Sequence, residues 1–145
     1  MAAFNKFNAF VENVAEKVHN LGSDTCKILL TNTAPSASNA LKGDLTEISA
    51  GFGYTAGGNA AAVSTSAQTS GTYKLVLSSP TTWTAAGGSI GPFRYCVLYN
   101  DTPSSPLDPL IGYWDYGSSV TITVGNTFSV LPSGASTGGA LETIS

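Results

Sequence analysis

The side chains of this chain that could carry out chemistry are mostly carboxylates, and three of them surround one proline-rich loop. They are Asp101, Asp108 and Asp115, and Trp114 and Tyr116 flank the last of them. Aspartate oxygens on a loop can ligate Ca²⁺, and aromatic rings beside a carboxylate can line a sugar site. The set matches no EF-hand pattern, and the Asp-Tyr-Gly order favours a turn. We therefore expect structural roles for these aspartates, with ligand binding as the alternative.

Nucleophilic catalysis and metal binding lack the residues that they need. His19 is the single histidine, and no Gly-x-Ser-x-Gly motif supplies a nucleophile for it. A metal site built from His and Cys would need three or four ligands, and the chain offers only His19, Cys26 and Cys96. Both cysteines lie in apolar segments, so we expect buried free thiols, with a disulfide as the alternative. The sequence predicts no catalytic residue, no metal and no cofactor.

Charge is scarce throughout the 145 residues. Charged residues make up 10% of the chain, where about 25% is usual, and six basic residues are spread along it. Nucleic-acid backbones are bound by clustered Lys and Arg, so we expect no nucleic-acid partner. No apolar run is long enough for a membrane span, and residues 1–20 lack the apolar core of a secretory signal. Such a surface suits a protein that packs against other subunits.

The first segment has the apolar spacing of a helix. Six apolar residues step by three and four positions, which places them on one face: Phe4, Phe7, Val11, Val14, Val18 and Leu21. The pattern predicts an amphipathic helix over about residues 3–19, closed by Gly22, with His19 near its carboxyl end. This face would lie on the chain's own β domain or contact a neighbouring subunit.

From residue 25 onward the apolar period changes to two, and turn residues recur every eight to twelve positions. The clearest predicted strands are 26–31 and 93–99. Strands at 110–116, 120–124 and 127–130 follow, with Gly125-Asn126 predicting a hairpin between the last two. A short edge strand is expected at 45–48, and a closing strand at 140–144. We predict one mainly β domain over 1–145, an antiparallel sandwich or jelly roll (about 25–145) preceded by one helix.

Several segments of the sequence resemble a small structural protein of tailed bacteriophages and prophages. They are FNKFNAFV at 4–11, VHNLGSDT at 18–25, LTNTAP at 30–35, GYTAGG at 53–58, GPFRY at 91–95, LYND at 98–101 and LIGYWDYG at 110–117. The chain departs from this pattern in its two cysteines, which stand where the pattern needs only apolar residues. It also departs at Pro132 and the Ser/Gly/Thr-rich 133–139, which follow the last of the three strands.

The resemblance implies a non-enzymatic virion protein, assembled in the bacterial cytoplasm, that forms homo-oligomers. A capsid decoration (cement) protein, bound to the major capsid protein or other virion proteins, is the expected role; a tail, tail-tip or fibre subunit is the alternative. A carbohydrate-binding module using Trp83, Trp114 and Tyr116 is an alternative of another class.

The interface is expected on the predicted helix and on the glycine-rich segment 51–58, whose two aromatic residues should share one face of an extended strand. The candidate interface residues are Phe4, Phe7, Val11, Val14, Val18, Phe52 and Tyr54. Segments 32–43 and 51–58 are too rich in Gly, Ser and Ala to form a core, and we expect them to become ordered on assembly.

Overall fold

The computed structural model describes residues 3–77, 80–130 and the backbone of 140–144. This part is mainly β, with one short α-helix near its start and a 3-10 turn at Lys42–Asp44. None of the helices in the described ranges is long and apolar enough to cross a membrane. In chain order the elements are β1 Phe4–Lys6, α1 Asn8–Ala15, β2 Cys26–Thr31, β3 Asn59–Ala60, β4 Val63–Thr69, β5 Thr72–Leu77, β6 Thr81–Thr84, β7 Ile90–Asn100, β8 Leu110–Ile122, β9 Thr127–Val130 and β10 Ala140–Ile144.

The strands form three antiparallel sheets. The largest has five strands in the order β1-β8-β7-β2-β3, the second is β10-β5-β4, and the third is β6-β9. The predicted strands at 26–31 and 93–99 are confirmed, and they pair with each other as β2 and β7. The strand predicted at 140–144 is also present, and it pairs with β5. The mainly β, antiparallel character expected from the period-two pattern is therefore confirmed.

The predicted helix over 3–19 is wrong in its length and in the side chains that it buries. Residues 4–6 are extended and pair with β8, where Phe4 lies opposite Trp114, and the helix begins only after Phe7. It ends early because Lys17 adopts a left-handed φ of 67°. The amide of Lys17 then donates to the carbonyl of Val14, and the next amide donates to that of Asn13. This is a Schellman closure five residues before Gly22, the predicted end.

Because the helix begins later than predicted, a different set of side chains reaches the core. Phe10, which lies outside the predicted face, is fully buried, whereas Val11 is 57% exposed. Phe7 is fully buried as the residue that precedes the helix. Val14 is half-buried against the core.

Three predictions in the β region are also corrected. One continuous strand, β8, replaces the strands predicted at 110–116 and 120–124, because Gly117 at φ 99° allows a bulge where a turn was predicted. The turn at 123–126 forms, but β9 pairs with β6 rather than β8, so the predicted hairpin is wrong. Residues 45–48 form no strand, only a single bridge between Glu47 and Thr31.

Apolar side chains bury both faces of the central β2–β7 pair, as their near-continuous apolar sequence predicts. One face belongs to the larger cluster, which includes Ile28, Leu30, Leu98 and both cysteines. The opposite face contributes Leu29, Val97 and Tyr99 to the smaller cluster, which also contains Phe7 and Leu110.

Cys26 and Cys96 are both buried and free, as expected from their apolar surroundings. Cys96 lies opposite Leu30 and Cys26 lies opposite Asn100, so the two are four residues out of register. At about 3.3 Å per residue, that offset separates them by roughly 13 Å. A disulfide needs Cα atoms within about 7 Å, so the disulfide alternative is wrong for this fold.

Candidate functional site

The three aspartates around the proline-rich loop do not form a common site, because each is paired with a different basic residue. Lys27 Nζ lies 2.8 Å from Asp101 Oδ2, and Lys42 Nζ lies 3.2 Å from an oxygen of Asp108. In the described ranges, no group of three or more His, Cys, Asp or Glu residues is placed to hold a metal ion. Each of the three carboxylates is thus an ion-pair partner within the chain.

Asp115 makes the most directional of the three pairs. The Arg94 guanidinium donates two hydrogen bonds to its carboxylate, at 2.7 and 2.9 Å, and the amide of Gly117 donates a third at 2.8 Å. The Arg94 hydrogen bonds, followed by the amide, lower the pKa of Asp115. Asp115 is therefore ionised. Its carboxylate stabilises the bulge in β8, because it accepts hydrogen bonds from Arg94 on β7 and from the amide of Gly117.

The aromatic residues of the carbohydrate alternative do not form an exposed platform. Trp83 is 1% exposed and Trp114 is 6% exposed. The Trp114 ring packs on Phe4, with centroids 5.1 Å apart, and Tyr116, which is exposed, packs edge-on against Phe128. A sugar cannot stack on either tryptophan without opening the core.

His19 is a buried structural residue rather than a base or a helix-end charge. It lies four residues beyond the end of α1 and packs against Phe10, with ring centroids 5.3 Å apart. The side-chain oxygen of Asn100 accepts a hydrogen bond from the amide of Thr102, so the Asn100 amino group faces Nδ1 of His19 (3.1 Å) and a carboxylate oxygen of Asp24 (2.6 Å). Burial lowers the pKa of His19 to about 4, although Asp24 opposes this shift. The imidazole is neutral at pH 7 and accepts at Nδ1.

Sequence reasoning missed the residue that anchors the glycine-rich segment, which is Glu47. Its Oε1 accepts hydrogen bonds from the Tyr54 hydroxyl, at 2.5 Å, and from the amide of Gly57, at 2.6 Å. The Tyr54 oxygen also accepts from the amide of Leu30, and the Tyr99 hydroxyl donates to the Gly57 carbonyl. The one sequence signal for this role is that Glu47 comes directly before a run, 48–73, that contains no charged residue.

That segments 32–43 and 51–58 become ordered on assembly stays a prediction.

Phe52 and Tyr54 lie on opposite sides of a tight turn, so the prediction that they share one face is wrong. The amide of Tyr54 donates to the carbonyl of Gly51, and the reverse hydrogen bond is also made. Phe52 (φ 56°) and Gly53 (φ 105°) both have left-handed backbones, as in a type I′ turn. Tyr54 is 2% exposed, whereas Phe52 is 56% exposed.

The seven candidate interface residues therefore divide by burial. Phe7 and Tyr54 are part of the chain's own core, and Phe4, Val14 and Val18 are half-buried. Only Val11 and Phe52 present most of their side chain to solvent. Three further large apolar residues, which the sequence analysis did not place at the interface, are equally exposed: Leu107, Tyr116 and Val124.

The chain matches no protein-family model, no curated protein and no solved structure.

Proposed function

We propose that this chain is a non-enzymatic structural subunit of a tailed-bacteriophage particle, and that it decorates the outer surface of the capsid by binding the major capsid protein. The observation that carries this proposal is the resemblance of its segments between residues 4 and 117 to a virion structural protein. The arrangement of charged and apolar side chains supports it.

The pairing of charged side chains within the chain favours a protein that packs permanently against other subunits over a free enzyme. Lys27, Lys42 and Arg94 are paired with the aspartates described above, so these charges are neutralised within the chain. Lys, Glu and Asp are depleted at the centres of protein interfaces, whereas aromatic residues are enriched there. A surface that shows Phe52 and Tyr116 among Ser, Thr and Gly suits that use.

The three sheets are proposed to form a sandwich-like body. Leu75 and Leu77 of β5 and Trp83 of β6 share one apolar cluster with Ile28 and Leu98 of the five-stranded sheet. Side chains of all three sheets thus meet in one core, which is how packed sheets bury their inner faces.

Homo-oligomer formation is proposed to use the free edge of β4. This strand is an edge of its sheet in the described topology, and none of its seven residues is charged. Natural edge strands are usually protected by charge or proline, and an unprotected edge is a template for strand pairing. Multiple copies around a capsid axis would add avidity to each contact.

Quantitative mass spectrometry of purified particles, separated into heads and tails, tests the proposal. We expect the chain in the head fraction, in a fixed ratio to the major capsid protein that survives washing. Recovery in tails at a few copies per particle would support the tail alternative and contradict decoration. Binding of glycans by the isolated protein, with none recovered in particles, would support the carbohydrate alternative.

A further inference from the structure

A cavity of about 410 Å³ lies between the segment that follows α1 and the hairpin formed by β4 and β5. It is lined by Val14 of α1, by residues 19–22, by Ser66 of β4 and by Tyr73 of β5. The two walls approach each other at Gly22, where an added Cβ would lie 3.5 Å from the Ser66 hydroxyl oxygen. Pockets that bind small molecules have volumes of about 300–1,000 Å³, so this cavity has room for a ligand.

The walls of the cavity are mostly apolar, and the described residues that line it carry no charge at neutral pH. Val14 is half-buried and Leu21 is buried, and both pack with the larger core cluster. The hydroxyls of Ser66 and Tyr73 are hydrogen-bonded to each other at 2.6 Å. The remaining polar side chain apart from the imidazole, Asn20, is exposed. A charged ligand would therefore enter without a counter-ion, which is costly in an apolar site.

His19, which also lines the cavity, has a polar atom that the chain does not use. The residue is 8% exposed, and its Nε2 has no hydrogen-bond partner among the described residues. Because the imidazole is neutral at pH 7 and Nδ1 accepts from the amino group of Asn100, Nε2 carries the ring proton. A buried donor without an acceptor is destabilising, and such donors are rare in native proteins.

A ligand with one acceptor oxygen suits this donor better than a water molecule does. A buried water typically makes about three hydrogen bonds. The buried part of the described wall offers only the Nε2 proton and a pair of hydroxyls that are already bonded to each other. The carboxylate of Asp24, which accepts from the Asn100 amino group at 2.6 Å, disfavours an anionic acceptor beside His19.

The segment that carries His19 is fixed by its own hydrogen bonds. The amide of Asn20 donates to Asp24 Oδ2 at 2.8 Å, and the carbonyl of Asn20 accepts from the amides of Ser23 and Asp24. A wall that is already ordered loses little conformational entropy when a ligand binds.

We infer that this cavity binds a small, uncharged and mostly apolar molecule whose single carbonyl oxygen accepts a hydrogen bond from Nε2 of His19. Simple ketones and esters with one or two rings belong to this class. The inference goes beyond the proposed function and does not depend on it, because its test uses the isolated protein.

The test compares two probes on the full-length wild-type protein by NMR titration. Acetophenone carries a carbonyl where ethylbenzene carries a methylene, and the two molecules are otherwise alike. The titration follows the backbone amides of residues 14–22, 66 and 73 and the Nε2 proton of His19.

We expect both probes to shift these amides in a saturable way, and acetophenone to bind at least as tightly as ethylbenzene. Without a hydrogen bond, burial of the carbonyl would make the ketone bind about fivefold or more weakly than the hydrocarbon. The Nε2 proton should move downfield with acetophenone alone. A ketone that binds about fivefold more weakly than ethylbenzene, or that leaves the Nε2 proton unmoved, would overturn the inference. So would the absence of saturable binding by either probe, which would mean that the cavity holds water only.

A blocked cavity supplies the second readout, with Gly22→Leu as the variant and Gly43→Leu as its matched control. Neither glycine has a left-handed backbone, and an added Cβ meets no atom closer than 3.5 Å at Gly22 and none within 4 Å at Gly43. We expect G22L to weaken acetophenone binding about tenfold or more and G43L to leave it within about twofold of wild type. Thermal unfolding verifies that both variants are folded.

Unchanged binding by a folded G22L would place the probe elsewhere and overturn the inference. Shifts of the same amides with protein concentration, in the absence of any probe, would assign the cavity to a second copy of the chain and likewise overturn it. The comparison of the two probes needs no variant, so it decides the question even where G22L does not fold.

Discussion

The ring of Phe52 lies directly against the backbone of Gly88, and the absence of a side chain at residue 88 is what makes this contact possible. An added Cβ at Gly88 would meet ring carbons at 2.4 to 2.6 Å, a separation that real Cβ atoms do not adopt. The contact joins the tight turn at 51–54 to the segment that precedes β7, and it holds the ring at the surface.

Gly88→Ala is therefore expected to push the Phe52 ring off its seat. We expect a loss of about 1 kcal/mol in the free energy of unfolding, because an exposed ring can move more easily than a core side chain. The amide chemical shifts of residues 86–88 should also change as the ring moves. Gly43→Ala is the matched control, since nothing lies within 4 Å of its added Cβ. Unchanged amide shifts at 86–88 in G88A would contradict the contact.

The corrected position of α1 predicts unequal costs for two truncations. Phe7→Ala should lower the free energy of unfolding by roughly 3–5 kcal/mol, because the ring is fully buried in the smaller core cluster. Val11→Ala should change it by less than about 0.5 kcal/mol, because that side chain is exposed. Urea denaturation measures both. Equal costs for the two variants would mean that Val11 is buried like Phe7, as in the helix predicted over residues 3–19, and would contradict the observed position of α1.

Stability should fall as the pH is lowered from about 6.5 to about 4, because His19 is buried in its neutral form. Its pKa is lowered from 6.5 to about 4 in the folded chain, chiefly by burial, so in this range the unfolded chain binds a proton that the native chain does not. Above pH 6.5 both states are neutral and there is no loss. Below about 4 the loss is complete, at most roughly 3 kcal/mol and less where solvent screens the ring.

Denaturant unfolding of wild type and His19→Gln across this range isolates the imidazole from the carboxylates that titrate near its lower end. Gln offers an oxygen acceptor toward Asn100 but does not titrate between pH 4 and 7. Wild type should lose stability relative to H19Q as the pH falls from about 6.5 to about 4. A constant difference would mean that His19 is protonated as readily in the folded chain as in the unfolded one.

Neither thiol should react in the native protein. Burial raises the pKa of both Cys26 and Cys96 to about 12, so almost no thiolate is present at neutral pH. A disulfide-exchange reagent should label neither cysteine in buffer and both in denaturant, and reducing agent should leave stability unchanged. Rapid native labelling, or a Cys26–Cys96 bridge found by mass mapping, would contradict the packing of β2 against β7.

The parts of the fold that could be predicted are those set by local patterns. The strand at 26–31 is found with the predicted bounds because its apolar run, Ile28 to Leu30, is buried on both faces. The helix was misplaced because its first residues pair with β8, and a contact with Trp114 leaves no trace in the spacing of nearby apolar residues. The sequence predicts a turn at Gly117 where the structure has a bulge, because both use a left-handed glycine.

The glycine-rich segment 51–58 was only half predictable for the same reason. The sequence indicated Phe52 but placed Tyr54 beside it, since alternation assumes an extended backbone and cannot foresee two left-handed residues in succession. Val124 was assigned to a strand, although it lies in the turn that follows β8. The hydrogen bonds from the amide of Ala86 to Phe52 and from the amide of Gly125 to Ala85 connect residues far apart in the chain, so no local pattern reports them.

The most direct test of the account is a cryo-electron microscopy reconstruction of intact particles produced by the strain that encodes this chain. We predict density for this β domain in many symmetry-related copies on the outside of the head. Density confined to the tail, or none anywhere on the particle, would contradict the central claim that this protein decorates the capsid.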